Sequence, residues 1–163
     1  MSEDLGFRFT WYGHATVHIE SEADTSILVD PWFGHPLAPG GPEAIERCDV
    51  MLVTHGHHDH LGAAPGAIAD ADSLSIARRT HPVWPAIHEL SLWLGVQDTG
   101  AEIVGMNKGG TVEVAGVRVS MVAADHSAGD FVEETGLPVY LGEPAGFVVE
   151  LENGRSFYHA GDT

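Results

Sequence analysis

A chain of 163 residues is long enough for one domain with a real core and short for two. Its 24 acidic residues against 7 basic ones, a formal charge of -17, repel nucleic acid and anionic membrane alike. No apolar run approaches the roughly 18 residues that span a bilayer, and the lone Cys48 excludes an internal disulfide.

The acids are scattered, which describes a solvated surface and suits a protein kept soluble in concentrated salt. The opening MSEDLGFRFTWYG has no basic stretch followed by an apolar one, so no secretory leader is expected and the default compartment is the cytoplasm.

Alternation over Phe7 to Tyr12, Ala15 to Glu20 and Ser26 to Val29 predicts an antiparallel meander of three short strands, ended by Asp30-Pro31-Trp32. Prolines and glycines make Gly34 to Pro42 a loop. Val50 to Val53 is continuously apolar, as in a strand buried on both faces. Asp72-Ser73 is expected to cap a helix running to about Arg79, and Pro82 to Ala86 reads as an edge strand because of its prolines. His88 to Leu94 reads as a second helix, stopped by Gly95 at the position just past its end. Strands are predicted over Gly110 to Val114, Val117 to Ala123, Phe147 to Leu151 and Ser156 to His159, with turns at Ala115-Gly116 and Asn153-Gly154. Ser127 to Pro144 is a long loop, a place where function often lies. Strands flanking a few helices point to an α/β layered domain.

The chemistry concentrates in VTHGHHDHLG, directly after the buried strand. Imidazole and carboxylate suit Zn²⁺, Mn²⁺ or Fe²⁺. His55 and His57 stand two apart at a strand end and share one direction, so they can share an ion. Asp59 and His60 follow as the chain turns, and can hold a second ion beside the first. A solvated histidine cluster requires neither the preceding strand nor the Asp. Asn107-Lys108-Gly109-Gly110-Thr111 lacks phosphate-loop spacing and is read as a turn.

The pattern His-x-His-x-Asp-His, here His55, His57, Asp59 and His60, resembles the signature of the metallo-β-lactamase superfamily. Trp11 to Thr16, Ile87 to Leu90, Gly105 to Thr111, Ala124-Asp125-His126-Ser127, Gly146-Phe147-Val148 and Tyr158 to Thr163 narrow it, resembling the UPF0173 metal-dependent hydrolases, relatives of ascorbate-6-phosphate lactonases. The resemblance implies an αββα sandwich, here its N-terminal portion with the second half largely missing. It implies two Zn²⁺ ions in a complete site, with Mn²⁺ or Fe²⁺ as substitutes: His55, His57 and His126 on one, Asp59 and His60 on the other, and Asp162 bridging. It also implies a metal-bound hydroxide, oriented by Asp59, attacking an ester-like, lactone or phosphoester small molecule.

The family closes its second site with a further histidine from a later strand. The 1–163 domain is therefore expected to be C-terminally truncated, and a non-catalytic metal-binding chain is the alternative. Apolar sheet surface left open would favour a homo-oligomer. His14, at a strand-to-strand turn, is expected either to be structural or to face the site, and His159 to orient a ligand. His58 is expected to point away, and His18, His35, His81 and His88 to be surface or capping residues. Glu89 is explained by the helix dipole.

Overall fold

The structure is a computed structural model that describes residues 5–163. The reading of the first residues as lacking a leader rests partly on residues 1–4, outside the described residues.

The predicted meander forms as β1 (Phe7–Gly13), β2 (Thr16–Ser21) and β3 (Ser26–Val29), antiparallel and in chain order. β3 then pairs in parallel with β4 (Val50–Leu52), with Val29 opposite Leu52. All four residues of β3 and all three of β4 are buried, which is why both read as unbroken apolar runs. The sheet continues through β5 (Val83–Ile87) to β6 (Glu102–Met106), again parallel. The helices α1 (His58–Leu61), α2 (Asp72–Thr80) and α3 (His88–Leu94) lie in the connections from β4 to β5 and from β5 to β6.

A second, antiparallel sheet has the order β12-β11-β8-β7, made of β7 (Thr111–Val114), β8 (Val117–Ala123), β11 (Ala145–Glu150) and β12 (Ser156–His159). Val117, Val119, Met121, Phe147 and Val149 of this sheet share one hydrophobic cluster with Ile19, Ile27, Val29 and Leu52 of the first. Two sheets with a common apolar interior make the sandwich, and helices layered on one sheet make the α/β arrangement expected. A backbone bond from Ala145 N to Thr54 O (2.9 Å) ties the second sheet to the carboxyl end of β4, where the histidine motif begins.

Several local expectations are corrected. Pro82 to Ala86 is no edge strand: β5 sits between β4 and β6. Val83 N donates to Asp49 O (2.9 Å) on the β4 side, and Val83 is the one position of β5 paired with β4. Pro85, two residues on, turns its nitrogen to the same side beyond that pairing, so no ladder bond is lost. Ala71, with no side-chain cap, starts α2, while Asp72 Oδ2 accepts from Phe33 N (2.9 Å) and anchors the loop after β3. Gly95 is itself the last half-helical residue of α3, at φ -64 and ψ -18, and needs no left-handed turn. The strand β6 was not anticipated. Within the expected loop Ser127 to Pro144 lies a hairpin, β9 (Asp130–Val132) and β10 (Leu137–Val139).

Gly62 closes α1 at φ 88, and a Cβ there would run into the Pro31 carbonyl. Gly62→Ala is therefore expected to destabilise by more than about 1 kcal/mol, read as a lower urea midpoint at unchanged slope.

Candidate metal centre

β4 ends at Leu52, and the buried residues Val53 and Thr54, the latter bonded to Ala145 of the second sheet, carry the chain to the buried His55. The chain bends over residues 54–56 before the extended His57 (φ -71, ψ 149), and the two rings meet with His55 Nε2 and His57 Nδ1 within 2.8 Å. His126, just beyond β8, brings its ring centroid to 4.9 Å from His55 and 5.2 Å from His57. Ligand atoms of these three histidines all fall within 4.8 Å of one another.

A second group forms beside the first. α1 carries His60 inward with no exposure, and its ring lies 4.0 Å from that of His55. Asp162, after β12, places Oδ1 at 3.2 Å from His60 Nε2 and Oδ2 at 3.8 Å from His126 Nε2, so its two oxygens face the two groups. His14, from the turn between β1 and β2, completes the set: ligand atoms of His14, His60 and Asp162 also lie within 4.8 Å of one another. Asp59 Oδ2 sits 2.9 Å from His14 Nε2.

One residue that sequence reasoning treated only as a strand end organises much of this. Asp30, fully buried, accepts from Thr54 N (2.7 Å) through Oδ1, and from Thr54 Oγ1 (2.7 Å) and His60 Nδ1 (2.9 Å) through Oδ2. The Thr54 hydroxyl, committed as donor to Asp30, has a lone pair for His55 Nδ1–H at 3.0 Å. A single carboxylate thereby puts the proton on Nδ1 of both His60 and His55 and leaves both Nε2 lone pairs for a cation. The usable signal was an acid directly after a fully apolar strand, but it gains meaning only once β3 is known to lie beside β4.

Burial lifts the Asp30 carboxyl, but the bond and charge of His60, with His159 and the Thr54 N–H, hold it below the ordinary range. Burial conversely disfavours charge on His60, and Asp30 outweighs it, raising His60 above the usual histidine value. A cation bound at Nε2 would take the place of that proton. His55 is pushed down to about 3, first by burial and then by the positive charge of His60, so it stays neutral and able to coordinate. Burial, then the nearby His126, also lowers His57. Burial pushes Asp59 up, but the bond from His14 and the charge of His60 bring it down overall.

The donor set fits divalent ions on an observation independent of any family. His60 Nε2 is buried and lacks a hydrogen-bond partner, lying 3.2 Å from Asp162 Oδ1 without the alignment of a hydrogen bond. A buried lone pair with no donor is costly unless something else satisfies it.

The remaining histidines divide as their surroundings dictate. His159 joins two segments of the site, with Nε2 bonded to Ala15 O (2.8 Å) and Nδ1 accepting from Gly161 N (3.2 Å). His58 faces away from the two groups, toward Asp130 of β9 at 3.2 Å. His18 contacts Ser26 Oγ (2.8 Å), His35 accepts from Leu37 N (3.2 Å), His81 ends α2 and His88 begins α3. Cys48 is buried, and burial raises its thiol far out of the reactive range.

Residues 25–163 match the family model described as Beta-lactamase superfamily domain. The chain belongs to the beta-lactamase superfamily. Among curated relatives, a UPF0173 metal-dependent hydrolase of Koribacter versatilis is 41% identical over 160 residues, covering 97% of this chain and 63% of the relative. Another from Methanosarcina barkeri is 40% identical over 160 residues, covering 98% and 62%. This superfamily chain thus spans less than two thirds of the length of either relative. Among solved structures, Igni18, a metallo hydrolase from Ignicoccus hospitalis, aligns with a TM-score of 0.72 at 29% identity, covering 96% of this chain and 61% of its own. CmlA, a diiron beta-hydroxylase from Streptomyces venezuelae, aligns at 0.66 with 21% identity, covering 96% and 30%, and shares the superfamily fold.

Proposed function

We propose that this chain is a metal-dependent hydrolase acting on an ester-like, lactone or phosphoester small molecule. The observation that carries the reading is Asp162, whose oxygens face His60 and His126 at 3.2 and 3.8 Å and so link two groups of ligand atoms into one paired site. His55, His57 and His126 would hold the first ion and His60 and Asp162 the second, where the family resemblance also places Asp59. Zn²⁺ suits both sets of nitrogen and carboxylate donors, with Mn²⁺ or Fe²⁺ as substitutes. Bound divalent ions supply a Lewis acid and lower the pKa of water to about 7. Asp59, whose Oδ2 lies 2.9 Å from His14 Nε2, would orient a water, and burial at His55 and His60 keeps competing solvent from the ligand nitrogens.

A cleft of about 640 Å³ runs beside the motif, with Trp32, Phe33, His58, Gly62, Ala63 and Asp72 among its walls; none of the proposed ligands lines it, and of its walls Trp32 reaches the site by packing on the His14 ring. The relatives' description as metal-dependent hydrolases supports the same reading. Among the described residues no helix is long and apolar enough to cross a membrane.

The protein loaded with Zn²⁺ or Mn²⁺ should turn over at least one of a nitrophenyl ester, a simple lactone or a bis-nitrophenyl phosphate. A chelator should abolish that turnover and added metal restore it. Turnover that survives chelation would sink the proposal, while stoichiometric binding without turnover of any class would favour the non-catalytic, metal-binding reading.

A further inference from the structure

We propose that His14 is a direct ligand of the second cation, alongside His60 and Asp162. The inference rests on the two-ion reading above and goes beyond it, because sequence reasoning gave His14 at most a supporting place and assigned the second position to Asp59, His60 and Asp162.

Three independent features of the structure carry it. The first is proximity: ligand atoms of His14, His60 and Asp162 lie within 4.8 Å of one another, the same criterion that gathers His55, His57 and His126, and Asp59 is not in that set. The second is need. His60 Nε2, fully buried and without a hydrogen-bond partner, faces the same space. Two protein ligands are few for a tightly held ion of this class, which takes three or four.

The third feature is how firmly the turn is held. His14 adopts φ 48, an uncommon conformation for a residue with a side chain, and such strain persists only where the surroundings impose it. Here they do. Trp11 Nε1 donates to His14 O (2.9 Å), His159 Nε2 donates to Ala15 O (2.8 Å), and the Trp32 ring packs edge-on against the His14 ring at 5.4 Å. His159 also accepts from Gly161 N (3.2 Å), so one imidazole locks the backbone beside His14 to the backbone beside Asp162. That link fixes the distance between two proposed ligands that are far apart in sequence.

A simpler role would have His14 only hold Asp59 by a hydrogen bond. Glutamine separates the two roles, because its amide can bond Asp59 but is a poor ligand for these ions. The full chain is titrated calorimetrically with Zn²⁺, and the Co²⁺ form is followed by its visible absorption, with circular dichroism as the check on folding. The expected result is two equivalents for the unaltered protein and one for both His14→Ala and His14→Gln, the absorption of the remaining Co²⁺ being that of the three-histidine group. A His14→Gln protein that still binds two equivalents would overturn the inference and leave the two-ion reading standing, as would loss of both ions from a folded variant. An unaltered protein that binds fewer than two would overturn both.

Discussion

Asp30→Asn is expected to leave the sandwich standing and to weaken both proposed cation positions. The left-handed backbone at this residue, φ 47, is one that asparagine accepts. Its amide oxygen can still take the Thr54 N–H, which leaves the amide NH₂ facing Thr54 Oγ1 and His60 Nδ1, where the carboxylate oxygen had been an acceptor for both. Each partner must then become an acceptor. His60 moves its proton to Nε2, and the Thr54 hydroxyl turns to donate to His55 Nδ1, so His55 does the same. Both ligand lone pairs are lost through one atom's exchange. Orienting partners of this kind change metal affinity by about 10–100-fold, and the loss here should appear at both positions in a Zn²⁺ titration. Asp30→Ala goes further. It strands the His60 ring and the Thr54 N–H in a buried pocket, which costs on the order of 3–5 kcal/mol in chemical denaturation. Unchanged Zn²⁺ affinity in the asparagine variant would show that Asp30 does not set the tautomers.

His57→Ala is the complementary experiment, aimed at metal with little effect on the fold. His57 precedes α1 without making any side-chain capping bond and is only partly buried, so alanine forfeits no helix stabilisation. It does remove one of three nitrogens from the first group. Zn²⁺ binding there should weaken by more than about 100-fold, beyond what loss of an orienting partner brings, and any hydrolysis should fall to the level of the chelated protein. The melting temperature measured without metal should stay near that of the unaltered protein. A variant that keeps both metal and turnover would remove His57 from the ligand set.

What could be read ahead of the structure was what neighbours in sequence decide. The strands β1 to β3 follow from alternation, the hairpin at Ala115-Gly116 from two residues that take positive φ (48 and 82), and the histidine motif from its own spacing. The misreadings have a common physical source. Pro85 looked like an edge marker because the extent of pairing with β4 is a tertiary fact. β6 went unnoticed because Gly105 interrupts a short apolar run, and in the fold that glycine lets Ser91 of α3 settle against the strand. Asp30 and His14 lie 25 and 41 residues before His55, and nothing local connects either to the motif until β3 docks on β4 and the β1–β2 turn folds over α1.

The bond from His159 to Ala15 joins residues 144 apart in the chain. Contacts this distant in sequence close more slowly than helices or hairpins form, so the site is expected to assemble late in folding. Until then His55, His57, His58 and His60 are still crowded together in any conformation, and an unfolded chain keeps some appetite for metal. Thermal protection by added Zn²⁺ should therefore fall short of what native-state affinity alone would give, because part of the ion is held by the very state it is meant to disfavour.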